Sequence, residues 1–157
     1  MIDATDAKIL SILQDNARTS NAEIARQVDL APSAVFERIR KLEERGVIEG
    51  YTARVNPNAV GLPLLAFIFV RDEERPGEER TSQLVSQIPE VLEVHHVAGE
   101  DCYLIKVRAR DAEHLGVLLR TRFGRIPGVR STRTTIVLET LKETPRLSVA
   151  RSQEVAS

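Results

Sequence analysis

One cysteine, Cys102, and no tryptophan occur among the 157 residues. A lone thiol forms no internal disulfide, so burial and hydrogen bonding must hold the fold, and a reducing compartment suits it. It also cannot supply the several thiolates of a structural zinc site. Long apolar runs are missing too. The longest, 62–70, is far short of the roughly 20 residues that cross a bilayer as a helix. The first residues, MIDATDAKIL, lack the basic start and apolar centre of a secretory signal, and a cytoplasmic location is expected. Neither sign of charge dominates: 22 Lys and Arg stand against 23 Asp and Glu, for a net charge of −1. With no basic field over the whole protein, any nucleic-acid contact has to come from a local patch. A Gly-rich phosphate loop and a nucleophile elbow are both absent, which argues against an enzyme. His95 and His96 adjoin Glu93 on a strand-like stretch. Neighbours on a strand point to opposite faces, so the two imidazoles do not share a metal. No metal and no cofactor are expected.

What is present is an ordinary globular composition, 42% hydrophobic and 29% charged, and one stretch with strong local grammar. In 20–46, SNAEIARQVDLAPSAVFERIRKLEERG, Ser20 followed by Glu23 is a capping box that starts a helix. Ile24, Ala25 and Val28 line one side of it. Asp29 and Leu30 make a turn, with Leu30 plugging the gap between crossing helices. Pro32 fits the first position of a second helix, where its missing N–H costs nothing. Val35, Ile39 and Leu42 fall at i, i+4, i+7 and face inward. Ser33, Ala34, Phe36, Glu37, Arg38, Arg40 and Lys41 are left to the outer and flanking faces. Within 33–41 the three cations meet only Glu37, a local excess of +2. Gly46 suits a left-handed helix end. Two helices, a short turn and a cationic outer face fit a helix-turn-helix. An ordinary helical hairpin with a solvated charged face has the same features.

A first helix, capped by Asp3 and ending near Asn16, places Ile9, Leu10 and Leu13 behind this pair. After Gly46 the period shifts. Residues 47–55 read as a short hairpin with Glu49 and Gly50 at its turn, a wing from which Arg54 reaches a phosphate. Asn56, Pro57, Gly61 and Pro63 mark a linker over 56–63. The second half reads as strand 64–72, helix 76–87, strands 91–98 and 102–110 joined by a tight turn, a helix capped by Asp111, and strand 129–141. The order βαββαβ is the ferredoxin-like split arrangement, in which two helices cover one sheet face. The first strand is apolar on both sides, with Leu65, Phe67 and Phe69 on one and Leu64, Ala66, Ile68 and Val70 on the other. A half-buried strand alternates with polar residues. This one predicts a second subunit over the open face, hence a homodimer. The expected class is α+β: domain 1–55 a winged helix-turn-helix, linker 56–63, domain 64–142 ferredoxin-like, and a polar tail 143–157 that packs along a neighbour or frays.

The segment LAPSAVFERIRKLEERGVIEGYTARVNP resembles the winged helix-turn-helix of the Lrp/AsnC, or feast/famine, transcription regulators. VAGEDCYLIKV and IPGVRSTRTTIVLETL are similar to that family's ligand-sensing domain. The resemblance implies a DNA-binding regulator that responds to an amino acid or related metabolite and assembles as a dimer or a larger, often octameric, ring. By position, 21–41 matches the DNA-reading motif, bringing Asn21 and Ala34 into the DNA-facing set. Segments 99–102 and 132–137 match the lining of an effector site between dimers. Two departures stand out. Ala31 occupies the place of the usual capping serine, forgoing a hydrogen bond worth about 1 kcal/mol, and Cys102 occupies a place where the family often has an aspartate.

The chemistry of both sites follows from residue type. Ser33, Glu37 and Arg40 can read base edges, Glu37 through a cytosine amino group and Arg40 on guanine. Phe36 presses on a thymine methyl or packs on the wing or the first helix. Arg38, Lys41 and Arg54 suit phosphates, which add affinity without sequence information. A free amino acid needs N–H donors for its carboxylate and an acid or carbonyl for its ammonium. The turn Val97-Ala98-Gly99-Glu100-Asp101-Cys102 offers both, and Thr132, Thr134 and Ile136 adjoin it in the family's site. A plain solvated hairpin is the plainer account of the same residues. The alternative from another class is an amino-acid-binding module that acts on a protein partner through a head that does not bind DNA.

Overall fold

The computed structural model describes residues 2–73, 78–99 and 101–149. Contacts divide the chain into two compact units, Met1–Ala53 with the C-terminal segment from Lys142, and Arg54–Leu141. The first boundary lies two residues before the expected one. The linker expected at 56–63 joins the second unit, where it is tied into turns by Ala59 N–H to Asn56 O and Leu62 N–H to Pro57 O.

The first unit holds three helices: α1 (Ala4–Asp15), α2 (Asn21–Val28) and α3 (Pro32–Glu44). Each start has a local cause. Asp3 caps α1 in a reciprocal box with Asp6. Ser20 caps α2 by accepting the Glu23 N–H, one half of the expected box. Asp29 closes α2 in the left-handed region, at φ 56° and ψ 51°, a conformation that a short polar side chain tolerates. Ala31 leaves α3 without a side-chain cap, and Pro32 sits in its first turn. Ile9, Ile24, Ala25 and Val35 form the buried cluster, with Ile12, Leu13, Val28, Leu30 and Ile39 packed on it.

Residues 47–55 differ from expectation, for no strand forms there. The Leu42 carbonyl accepts both the Val47 and Ile48 N–H groups, and Gly46 takes φ 66°, so the chain leaves α3 through a helix-closing turn. Gly50 is not left-handed, as a tight hairpin turn requires. An isolated two-stranded ribbon is also marginal without a third strand or a helix against it. The segment runs extended instead, held at Tyr51, whose hydroxyl donates to Glu43 Oε1 at 2.8 Å.

The tail 142–149 lies along α1. Leu147 N–H donates to Gln14 Oε1 at 2.7 Å, and Gln14 Nε2 donates back to the Leu147 carbonyl at 3.1 Å. Arg146 pairs with Asp15 and donates to Ser11 Oγ at 3.0 Å.

The second unit is a four-stranded antiparallel sheet in the order β2-β3-β1-β4. The strands are β1 (Leu64–Asp72), β2 (Val91–His96), β3 (Tyr103–Ala109) and β4 (Val129–Ile136). Helices α4 (Arg80–Ser86) and α5 (Ala112–Thr121) complete the ferredoxin-like order. The described part of α4 is shorter than the expected 76–87, whose first two residues lie outside the described chain. Strand β4 ends at Ile136, short of the expected 141. Buried and half-buried residues alternate along β3. Its inward side chains, with Ala66, Ile68 and Val70 of β1, pack on Val85, Leu115, Leu118 and Phe123. Register places Phe67 opposite Lys106 and Phe69 opposite Leu104 on the other face. Beyond β4, Leu138 and Leu141 are 98% and 87% exposed.

Candidate functional site

The side chains of α3 divide as helical spacing requires. Val35 and Leu42 are buried, whereas Ser33, Phe36, Glu37, Arg40 and Lys41 are exposed and Ala34 is half-buried. Phe36 is 53% exposed, so it is no core residue of the head. Asn21 lies half-buried in the first turn of α2. Arg54 lies exposed in the extended segment that groups with the second unit.

The outer face is less cationic than the sequence count implies. Arg40 Nη2 meets Glu37 Oε2 at 2.7 Å, and Arg40 Nη1 meets Glu44 Oε1 at 2.8 Å. The Glu37 hydrogen bond, then the charges of Glu37 and Glu44, raise the Arg40 pKa. Arg38 Nη1 lies 2.7 Å from both Asp3 Oδ2 and Asp6 Oδ1. The expected excess of +2 is therefore matched at close range by Asp3, Asp6 and Glu44, which helical patterning within 33–41 does not include. Asp3 is held below the usual carboxylate range, first by the Asp6 backbone N–H and then by Arg38. Asp6, Ala34, Glu37, Arg38, Lys41, Leu42 and Arg45 line a hollow of about 330 Å³ beside the helix.

In the second unit the hairpin between β2 and β3 closes through Val97 N–H to Cys102 O at 2.9 Å, and Cys102 N–H donates to the Val70 carbonyl at 2.8 Å. Gly99 takes φ 131°, with open space where a Cβ would stand. Glu100 lies outside the described residues. Asp101 Oδ2 pairs with Arg133 Nη2 at 2.8 Å, and the Arg133 guanidinium lies 4.1 Å above the Phe69 ring. Thr132 and Thr134 stand opposite Val70 and Ile68, and Ile136 opposite Ala66. All three share the helix-side face of β4, while Arg133 projects to the other. One chain thus brings Asp101 to Arg133 and Phe69, and sets the two threonines on the reverse of the sheet. On β2, His95 joins Glu93 at 3.2 Å, while His96 stacks on Tyr103 at 5.2 Å, so the two imidazoles part as expected.

Known proteins carry the same two units in the same order. Residues 2–49 match the family described as winged helix-turn-helix DNA-binding, and residues 65–147 match the Lrp/AsnC ligand binding domain. The chain belongs to the Lrp/AsnC family. Its relatives include the HTH-type transcriptional regulator FL11 of Pyrococcus horikoshii, 40% identical over 148 residues, which span 94% of this chain and 97% of that one. The leucine-responsive regulatory protein of Escherichia coli K12 is 37% identical over 94% of this chain and 92% of its own. Among solved structures, a Neisseria meningitidis transcriptional regulator in complex with L-methionine superposes with a TM-score of 0.88 at 32% identity, covering 94% of this chain and 96% of that one. A Mycobacterium tuberculosis feast or famine regulatory protein complexed with L-methionine gives 0.87 at 35% identity, covering 95% and 100%. The protein is thus an Lrp/AsnC-type DNA-binding transcriptional regulator with a ligand-binding domain, not an enzyme. Among its described residues no helix is long and apolar enough to cross a membrane.

Sequence reasoning passed over Arg133, Phe69 and the acids of α1. Arg133 sits between the two threonines that drew notice, and strand alternation alone sends it to the opposite face. Its partner Asp101 is 32 residues away, a separation that only strand pairing closes. Asp3 reads as a helix cap, which it is, and Asp6 completes the box. Their second task appears only once α3 crosses α1.

Proposed function

We propose that α3 reads base edges in the DNA major groove through Ser33, Ala34, Phe36, Glu37 and Arg40. Lys41, with Asn21 and Arg54, holds phosphates. The observation that carries this reading is the clean division of α3, with Val35 and Leu42 buried and the polar and cationic side chains turned out. Arg40 enters the groove only by exchanging Glu37 or Glu44 for a guanine edge, so base pairing competes with two exposed ion pairs that are individually weak.

The ligand of the sensing domain is an amino acid or a related small metabolite, in keeping with the L-methionine complexes of two structural neighbours. Val97, Gly99, Glu100, Asp101, Cys102, Thr132, Thr134 and Ile136 are its candidate contacts. Because Asp101 and the threonines serve opposite faces of one sheet, a ligand of that size reaches both only where a second copy of the chain completes the site. The half-buried Phe67 and Phe69 on the helix-free face, and the exposed Leu138 and Leu141, favour a homodimer and a higher ring. Such a regulator works in the cytoplasm.

The test is a gel shift of the full chain on its own upstream DNA across several salt concentrations, alongside titration calorimetry with a panel of amino acids that includes L-methionine. A discrete complex whose affinity falls steeply with salt is expected, as is heat with at least one amino acid accompanied by a change in assembly. No discrete complex would defeat the DNA reading. Heat with none would defeat the amino-acid effector.

A further inference from the structure

We infer that Arg38 is a positioning residue that pins the DNA-reading helix to the capping box of α1, and that it is not a phosphate contact. The two carboxylates involved are each divided between two tasks. Asp3 Oδ1 accepts the Asp6 N–H at 2.7 Å, while Asp3 Oδ2 accepts from Arg38 Nη1 at 2.7 Å. Asp6 Oδ2 accepts the Asp3 N–H at 3.4 Å, while Asp6 Oδ1 accepts from the same Arg38 nitrogen at 2.7 Å. The start of α1 and the seat of α3 are therefore one hydrogen-bonded unit. Position agrees with this. At about 100° per residue, Arg38 stands about 60° from Val35 and about 160° from Arg40 around α3. It belongs to the flank facing α1, not to the outer face.

Energetics point the same way. Asp6 is only 7% exposed, and a carboxylate so placed needs a cation beside it. If Arg38 left for a phosphate, Asp6 would stay behind desolvated and unmatched. Of α1, Ile9 lies in the buried cluster and Ile12 and Leu13 pack on it. Such apolar contacts tolerate small slips of one helix on the other, and a directional polar pin at the start of α1 removes that freedom. The pin thereby sets how Ser33, Glu37 and Arg40 meet the bases, which is a matter of specificity and not of overall attraction.

This inference rests on DNA reading by α3. Its test uses the full-length protein, a duplex selected from a random pool by the wild type, and a scrambled duplex of equal length. Kd is measured over a range of salt for wild type, R38Q, D6N, the double variant and R38K. R38Q and D6N should each weaken binding to the selected duplex roughly tenfold, within the range of coupled pairs. Neither should change affinity for the scrambled duplex or the salt slope. The double variant should be no worse than either single, and R38K should recover most of the loss because one nitrogen serves both acids. The opposite pattern overturns the inference: R38Q lowering the slope by about one, with D6N tightening both duplexes by freeing Arg38. No effect of either single variant overturns it as well. Melting curves establish that each variant is folded at the assay temperature. D3N, which leaves Asp6 in place, serves if R38Q is not. A wild type that fails to tell the duplexes apart would instead defeat DNA reading by α3. The pin is then judged by a double-mutant cycle of urea midpoints, where additive R38Q and D6N effects would remove it.

Discussion

In the helical unit four residues form the fully buried cluster, Ile9, Ile24, Ala25 and Val35, whereas the cluster under the sheet takes in twelve, from Ala66 to Phe123. The sheet unit is positioned by burial along the inward faces of its two central strands, β1 and β3. The helical unit has too little apolar surface for that and adds directional contacts: the Asp3–Asp6–Arg38 pin, the Tyr51–Glu43 hydrogen bond and the tail along α1. Apolar packing tolerates small slips, while hydrogen bonds fix angles. A unit whose task is to present one helix at a set angle gains from the second kind of contact. A ligand-binding unit built on a sheet gains from the first.

The largest test of this contrast is one deletion made in both units. Ile24→Ala and Ile105→Ala each remove a fully buried side chain, at about 2–5 kcal/mol. Ile24→Ala should abolish specific DNA binding near 37 °C while leaving the proposed oligomer, read by light scattering, in place. Ile105→Ala should weaken the oligomer first. The reverse assignment would break the comparison.

Next in size is Arg40→Ala. A bidentate base contact discriminates by about 1–3 kcal/mol, so binding to the selected duplex should fall more than binding to a scrambled one. Equal losses in a parallel titration would remove Arg40 from base reading and leave it as surface charge. Ala31→Ser should follow, adding the side-chain cap that α3 lacks and raising stability by about 1 kcal/mol. The urea midpoint reads it, and an unchanged midpoint would mean that Pro32 already fixes the start of α3.

The smallest effect sharpens the polar side of the contrast. Burial, and then Glu43, push the Tyr51 phenol up to about 12. Folding therefore favours the neutral phenol, a contribution fully present below the ordinary value near 10 and lost as pH rises from there through about 12. Tyr51 is 52% exposed, so its share of stability is small and absorbance titration is the better readout. Glu43→Gln should bring the ionisation part of the way back towards 10. An ionisation already near the ordinary value in the wild type would show that the extended segment does not rest on α3.

How far the sequence carried differs between elements for stated reasons. Helix starts were legible because Asp3, Ser20, Pro32 and Asp111 act within a turn of themselves. The strands of the sheet were legible as apolar and β-branched runs between turn residues, and β3 also by the period of two that burial on one face imposes. Residues 47–55 misled because strand-like composition does not supply a pairing partner, and the Leu42 carbonyl captured the first two N–H groups. The candidate DNA face was legible as a set of exposed positions, but its charge was not, since two of the balancing acids come from α1. At the effector hairpin the turn was visible, while the Asp101–Arg133–Phe69 stack was not.

The amino-acid sequence by itself determined the order of elements, the residues that face inward on each, and the resemblance of the whole to a family of regulators. These depend on neighbours within a few positions, where helical and strand periods act directly. Only tertiary structure decided which acids meet Arg38, where the tail runs and that Arg133 meets Asp101. Charges and hydrogen bonds act over a few ångströms in space whatever their separation along the chain, so their partners are known only when the elements have packed.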